Sequence, residues 1–239
     1  MAGTLSLFDA ATRESSIESI VYTSDSFAAL LPEPNQQIHV TEDTYNDSST
    51  RSARDASSAD VVRASAWDST NAFKMRVYAA AKAGAEKAIW QLVLDRKPRY
   101  RVSAILPNMN FGGCVAGLPP SSTGTCVPRL LAGDSSNLLF PVQWYVNVRD
   151  CAKLHIAALF DPLANGRRVF AFAEPFNWND ILAILRRLRP QMTIMDDMPD
   201  LGRDLSIVSN GYARSLLEKR YGHGWTSLEE TVRQNLEGL

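Results

Sequence analysis

Two short apolar runs flank one long helix-forming segment, and that order limits the folds open to this 239-residue chain. Ser19-Ile20-Val21-Tyr22-Thr23-Ser24 is β-branched and aromatic, the composition of a buried strand. Residues 73–94 are rich in helix formers, among them Ala79 to Ala81, Ala83, Ala85, Glu86, Lys87 and Leu92, and Pro98 stops the helix they predict. Arg101 to Leu106 reads as a second strand, closed by Pro107-Asn108. Strand, long helix and strand in this order predict a parallel βαβ unit and hence an α/β fold.

Around this unit, residues 2–12 predict a helix with Leu5, Phe8 and Ala11 on one face. The polar stretch from about Leu31 to Thr70, with Pro32, Pro34 and the serine-rich residues 48–58, is expected to be a long, partly mobile loop. A Gly/Pro/Ser-rich loop follows at residues 112–124. Helices are then expected at 148–159, at 178–188 and from Ser227 onward, with a strand at 168–173.

The informative motif is Tyr78-Ala79-Ala80-Ala81-Lys82. Residues four apart on a helix share a face, so an ammonium sits beside a phenol. Positive charge favours phenolate, so the spacing predicts a Tyr78 pKa that is lowered. A phenol tuned this way can give a proton to a carbonyl oxygen, or take one from a hydroxyl. Such spacing also occurs in plain surface pairs, and context decides between the two.

That context comes from spaced motifs in a fixed order: Gly3-Thr4-Leu5-Ser6-Leu7 with Ala10-Ala11, Ile20 to Ser24, then Tyr78 to Lys82 with Glu86 and Trp90. They continue with Leu106-Pro107-Asn108, Phe111-Gly112, Asn147 to Ala152 and Phe176-Asn177-Trp178. In this order the chain resembles the extended short-chain dehydrogenases/reductases of the NAD-dependent epimerase/dehydratase family, in particular the aldehyde/ketone and dihydroflavonol reductase-like branch. The resemblance implies a Rossmann-type parallel sheet for NADP or NAD in residues 1–113. A smaller substrate lobe in 114–239 would return one strand and helix to the sheet. It implies Tyr78 as proton donor, and Lys82 as the cation that tunes it and holds the nicotinamide ribose. Thr23, Ser24, Pro107 and Asn108 would border the cofactor. Phe111, Gly112 and Val115, with Asp25, would meet the substrate, a small carbonyl or hydroxyl compound of secondary metabolism. Asp150 would be structural, near the start of a helix where a carboxylate suits the dipole.

Two departures stand against the pattern. The thirteen glycines include no G-x-G-x-x-G turn of the kind that brings backbone to a pyrophosphate at a helix N-terminus. The resemblance would place roughly a hundred residues, carrying the first strands of the sheet, ahead of Gly3. The expectation is therefore an incomplete, N-terminally truncated Rossmann-type sheet with open edges, and with it a homodimer or a partner that completes the sheet. The other departure is Asp25, which stands where the family carries a catalytic serine. A hydroxyl donates to a carbonyl oxygen, whereas an ionised carboxylate repels the developing oxyanion. Ser26 is the preferred replacement, because the Ser24 side chain should point to the opposite face of the strand. Asp25 itself could be protonated, or could act as base in a reaction other than reduction. These departures leave open a nucleotide-independent relative that serves as a binding or isomerase/dehydratase lobe, or a fragment without function.

Other chemistries find little support. A formal net charge of -1 gives no pull toward nucleic acid or anionic membrane. No run reaches the ~18–20 apolar residues of a membrane span, the first residues predict no secretory signal, and cytoplasmic residence is expected. His39, His155 and His223 lack ligand spacing, so no metal site is expected. Cys114, Cys126 and Cys151 read as buried small residues in a reducing compartment.

Overall fold

The computed structural model describes residues 2–55, 71–114, 122–136 and 138–237. Along the chain run α1 (Ala2–Arg13), β1 (Ser19–Thr23), β2 (His39–Val40), α2 (Asp47–Asp55), α3 (Asn71–Arg96), β3 (Arg101–Pro107) and β4 (Met109–Phe111). They are followed by α4 (Cys126–Leu131), β5 (Val142–Asn147), α5 (Val148–Phe160), β6 (Arg168–Ala171), β7 (Glu174–Asn177) and α6 (Trp178–Leu188). Last come β8 (Ile207–Val208), α7 (Gly211–Tyr221) and α8 (Leu228–Asn235). No helix among the described residues is long and apolar enough to cross a membrane.

These elements form two compact units. One gathers Met1–Leu31, Val40–Leu106 and His155–Phe170; the other gathers Pro32–His39, Pro107–Leu154 and Ala171–Leu239. The first unit contains the expected βαβ. β1 and β3 are parallel, in register from Ser19 opposite Arg101 to Thr23 opposite Ile105, and β6 lies on the other side of β3. α1 buries Phe8 and Ala11 against Ile89 and Leu92 of α3, together with Tyr100 and Val102. Each large side chain so buried contributes about 1.5–3 kcal/mol. α3 ends where Lys97 turns left-handed, one residue before Pro98. Its buried stripe is Ala79, Ala83, Glu86, Ile89 and Leu92, the spacing of one helical face.

The expected loop at 31–70 holds more structure than its composition suggests. Asn46 is buried and accepts from the Ser49 N–H at 3.1 Å, while its own amide donates to the Phe27 carbonyl at 3.0 Å. That side chain satisfies an orphan N–H at the start of a polar helix, α2, which packs on α3 and is tied to it by a Lys87–Asp47 ion pair. Residues 56–70, where the rest of that loop was expected, lie outside the described residues.

The second unit has a mixed sheet in the order β4-β5-β7, with β4 parallel and β7 antiparallel to β5. All six residues of β5 are buried. Phe111, Tyr145, Phe176 and Trp178 make an edge-to-face aromatic core beside Ile181, Leu182 and Leu185 of α6. α6 opens with a capping box between Asn177 and Asp180. Asp150 is buried near the start of α5 and accepts from the Thr226 N–H at 2.8 Å. Cys126 and Cys151 are buried, but Cys114 is exposed, contrary to the expectation for all three.

Candidate functional site

Strand alternation sends neighbouring residues after β1 to opposite sides. Ser24 is buried, and its hydroxyl donates to Glu86 Oε2 at 2.7 Å while its N–H donates to the Ile105 carbonyl at 2.8 Å. Glu86 has no exposed surface and pairs with Arg168 of β6, Nε to Oε1 at 2.6 Å. Arg168 also donates to the carbonyls of Glu42 and Thr44, at 2.9 and 2.5 Å, and its guanidinium lies 3.9 Å from the centre of the Tyr45 ring. Trp90 Nε1 completes the cluster by donating to Glu86 Oε1 at 3.3 Å. Both charges are thus matched and hydrogen-bonded, as a buried pair must be. The sequence marked Glu86 and Trp90 but not their partner Arg168.

Asp25 faces the other way. Its carboxylate caps a short 3-10 turn at Ser26–Ala28 by accepting from the Phe27 N–H at 2.9 Å. That turn packs on α3, where Ala79 and Ala83 carry only a methyl group and permit close approach. Tyr78 and Lys82 stand one position ahead of those alanines, at the edge of the buried stripe. The Tyr78 hydroxyl donates to Asp25 Oδ2 at 2.6 Å, and its ring meets Phe27 edge-on at 6.2 Å. Tyr78 keeps 39% of its surface exposed, so a solute can reach the phenol. Lys82 Nζ lies 5.6 Å from the centre of the Tyr78 ring.

The electrostatics correct one expectation. The Tyr78 phenol is raised well above its ordinary value, by burial first and then by its hydrogen bond to, and the charge of, Asp25. Lys82 was expected to lower it; burial and the directly bonded carboxylate set the opposite direction. Asp25 is also raised, because burial outweighs the opposing help from Tyr78, the Phe27 N–H, Lys82 and Ser26. Behind them, Tyr22 is raised by burial, Glu86 and Asp25.

The remaining expected residues divide between the units. In the first, Ser26 is buried with its hydroxyl turned to Asp25, and Thr23 is exposed with Oγ1 2.9 Å from His155 Nε2. In the second, Pro107 ends β3 and is buried, and Asn108 Oδ1 accepts the Met109 N–H at 2.8 Å. Phe111 is 1% exposed within the aromatic core. Gly112 has φ of 122°, and a Cβ there would stand 3.2 Å from both Asn147 and Val148. Its carbonyl accepts from Asn235 Nδ2 at 3.0 Å. Gly112 therefore packs against its own chain and offers no open cradle for a pyrophosphate. Val115 lies outside the described residues.

No protein-family model matches the chain. It is 34% identical over 237 residues to aldehyde reductase 2 of Sporidiobolus salmonicolor, a match covering 98% of this chain and 66% of that protein. It is 31% identical over 235 residues to the NAD-dependent epimerase/dehydratase terH of Aspergillus terreus, covering 97% of this chain and 66% of that one. Among solved structures, yeast methylglyoxal/isovaleraldehyde reductase Gre2 complexed with NADPH superposes with a TM-score of 0.75 at 21% identity, covering 98% of this chain and 67% of that one. The present chain thus spans 66% of the length of the two curated relatives.

Proposed function

Since this chain belongs to the extended short-chain dehydrogenase/reductase family, we propose that it carries the proton-transfer centre of an NAD(P)-dependent oxidoreductase acting on a small carbonyl or hydroxyl compound. The observation that carries this reading is the placement of Tyr78 and Lys82. A half-exposed phenol and an ammonium share the edge of α3, facing Asp25, two residues past the end of β1. Tyr78 is the group that exchanges a proton with the substrate oxygen. Lys82 holds the nicotinamide ribose and moderates the charge of Asp25.

The residues present suit the two ends of the cofactor unequally. Tyr78, Lys82 and Thr23 are accessible and suit the ribose and nicotinamide. For the pyrophosphate the sequence given has no G-x-G-x-x-G turn, and the Gly112-Gly113 pair is packed on Asn147 and Arg149. When bound, the nicotinamide supplies or accepts hydride; the residues above position the ligand and hold the proton.

Titrating the purified chain with NADPH and with NADH, following nicotinamide fluorescence and thermal melting together, tests the reading. Saturable emission with a raised melting temperature is expected, and Tyr78→Phe should keep that binding while lowering turnover of a small aldehyde by about 10²–10⁴-fold. A chain that melts cooperatively and binds neither nucleotide would overturn it.

A further inference from the structure

A tyrosine hydroxyl has one hydrogen to give, and in this structure Tyr78 gives it to Asp25 at 2.6 Å. On this hydrogen-bonded pair, what an incoming ligand meets is the lone pairs of the phenol oxygen and of a carboxylate, with the Lys82 ammonium beside them, 5.6 Å from the centre of the Tyr78 ring. The phenol oxygen and the carboxylate both accept hydrogen bonds. A ligand hydroxyl satisfies them by donating, whereas a ligand carbonyl brings only another acceptor. The Ser26 hydroxyl does not supply the missing donor, because it is buried and turned to Asp25. The Phe27 N–H is occupied by the same carboxylate.

We infer that Asp25 is the specificity-determining residue of this site: paired with Tyr78 it selects hydroxyl-bearing ligands, and a carbonyl ligand is bonded by the phenol only together with one added proton. With that proton on Asp25, the carboxylic acid donates to the Tyr78 oxygen and the phenol hydrogen turns to the ligand carbonyl. No covalent bond of the ligand changes in either state. Among the described residues, the charged or titratable groups facing Asp25 are Tyr78 and Lys82 from α3 and Tyr22 from β1, joined by the Ser26 hydroxyl. Burial raises the Asp25 carboxyl above its ordinary 3.8, which favours the added proton. This inference rests on the proposed function only in taking the Tyr78 phenol as the ligand contact.

The experiment uses the full chain without nucleotide, with carbon-13 at the aspartate carboxyls and tyrosine Cζ, and a matched probe pair, cyclohexanone and cyclohexanol, between pH 4 and pH 8. Cyclohexanol should shift the Tyr78 and Asp25 signals at pH 8. The affinity for cyclohexanone should rise as pH falls through the Asp25 titration, approaching tenfold per pH unit, the limit for one linked proton. Asp25→Asn, which carries a permanent donor, should bind cyclohexanone equally across the range, and Asp25→Ser should flatten the dependence as well. A ketone-to-alcohol affinity ratio that stays constant with pH in the natural chain overturns the inference. So does a dependence that survives in Asp25→Ser, or a failure of both probes to move the two signals. Proton-linked probe binding by a chain that ignores NADPH would sink the proposed function and leave this inference standing; nucleotide binding with a pH-flat ratio would do the reverse.

Discussion

Adjacent residues of one strand end lead to two carboxylates of the first unit, Ser24 to Glu86 and Asp25 to its own, and the two are treated in opposite ways. Glu86 meets Ser24, Trp90 and the guanidinium of Arg168 in the interior, with charge cancelled and oxygens bonded. Asp25 meets a phenol and a backbone N–H, with Lys82 acting only at a distance. The first arrangement leaves nothing for a ligand to change. The second leaves a largely buried carboxylate whose charge is poorly supported and whose phenol partner is exposed in part. The difference teaches where rigidity ends and chemistry can begin along a single helix.

Breaking the interior pair should have the largest effect. Arg168→Ala leaves Glu86 buried and uncompensated, and should lower stability by about 3–5 kcal/mol in urea unfolding. Replacing both partners, Glu86→Leu with Arg168→Met, should recover most of that loss. If the double variant is as unstable as the single, the pair also holds the Glu42–Thr44 segment in a way hydrophobic packing cannot replace.

Breaking the outer pair should have a smaller effect, felt mainly through pH. Asp25 is raised, so its contribution to stability is full below the unfolded value near 3.8 and is lost as pH rises through the higher folded value. Asp25→Asn should therefore raise the melting temperature at pH 7 relative to the natural chain by more than it does at pH 3. An equal gain at both would remove the electrostatic half of the comparison. The smallest effects sharpen the ranking of partners. The Asp25 carboxyl titration should move further up in Tyr78→Phe than in Lys82→Met, because the direct hydrogen bond outranks the distant ammonium. Carbon-13 spectra of the two variants read this order directly.

Much of this was legible from local pattern. The face of α1, the βαβ order, the helix stop before Pro98 and the inward turn of Ser24 all follow from periodicity and chain stiffness. α2 was not, because Asp47–Asp55 is almost wholly polar and its start depends on the buried Asn46 reaching back to Phe27. β5 was missed because all six residues are buried, so it shows no alternation. At the site, Lys82 is four residues from Tyr78 and visible in sequence, while Asp25 lies 53 residues away and is not. The partner that was out of sight proved the stronger influence on the phenol. Arg168 escaped for the same reason.

The separation of Glu86 from Arg168, 82 residues along the chain, also bears on how the protein is made. At about 5–20 residues per second, the ribosome delivers the guanidinium roughly 4–16 s after the carboxylate. Throughout that interval α3, β1 and β3 can form, yet closing the interior around Glu86 would strand a charge. The nascent first unit therefore has reason to stay loosely packed, its apolar stripe within reach of chaperones, until β6 emerges and its arginine arrives.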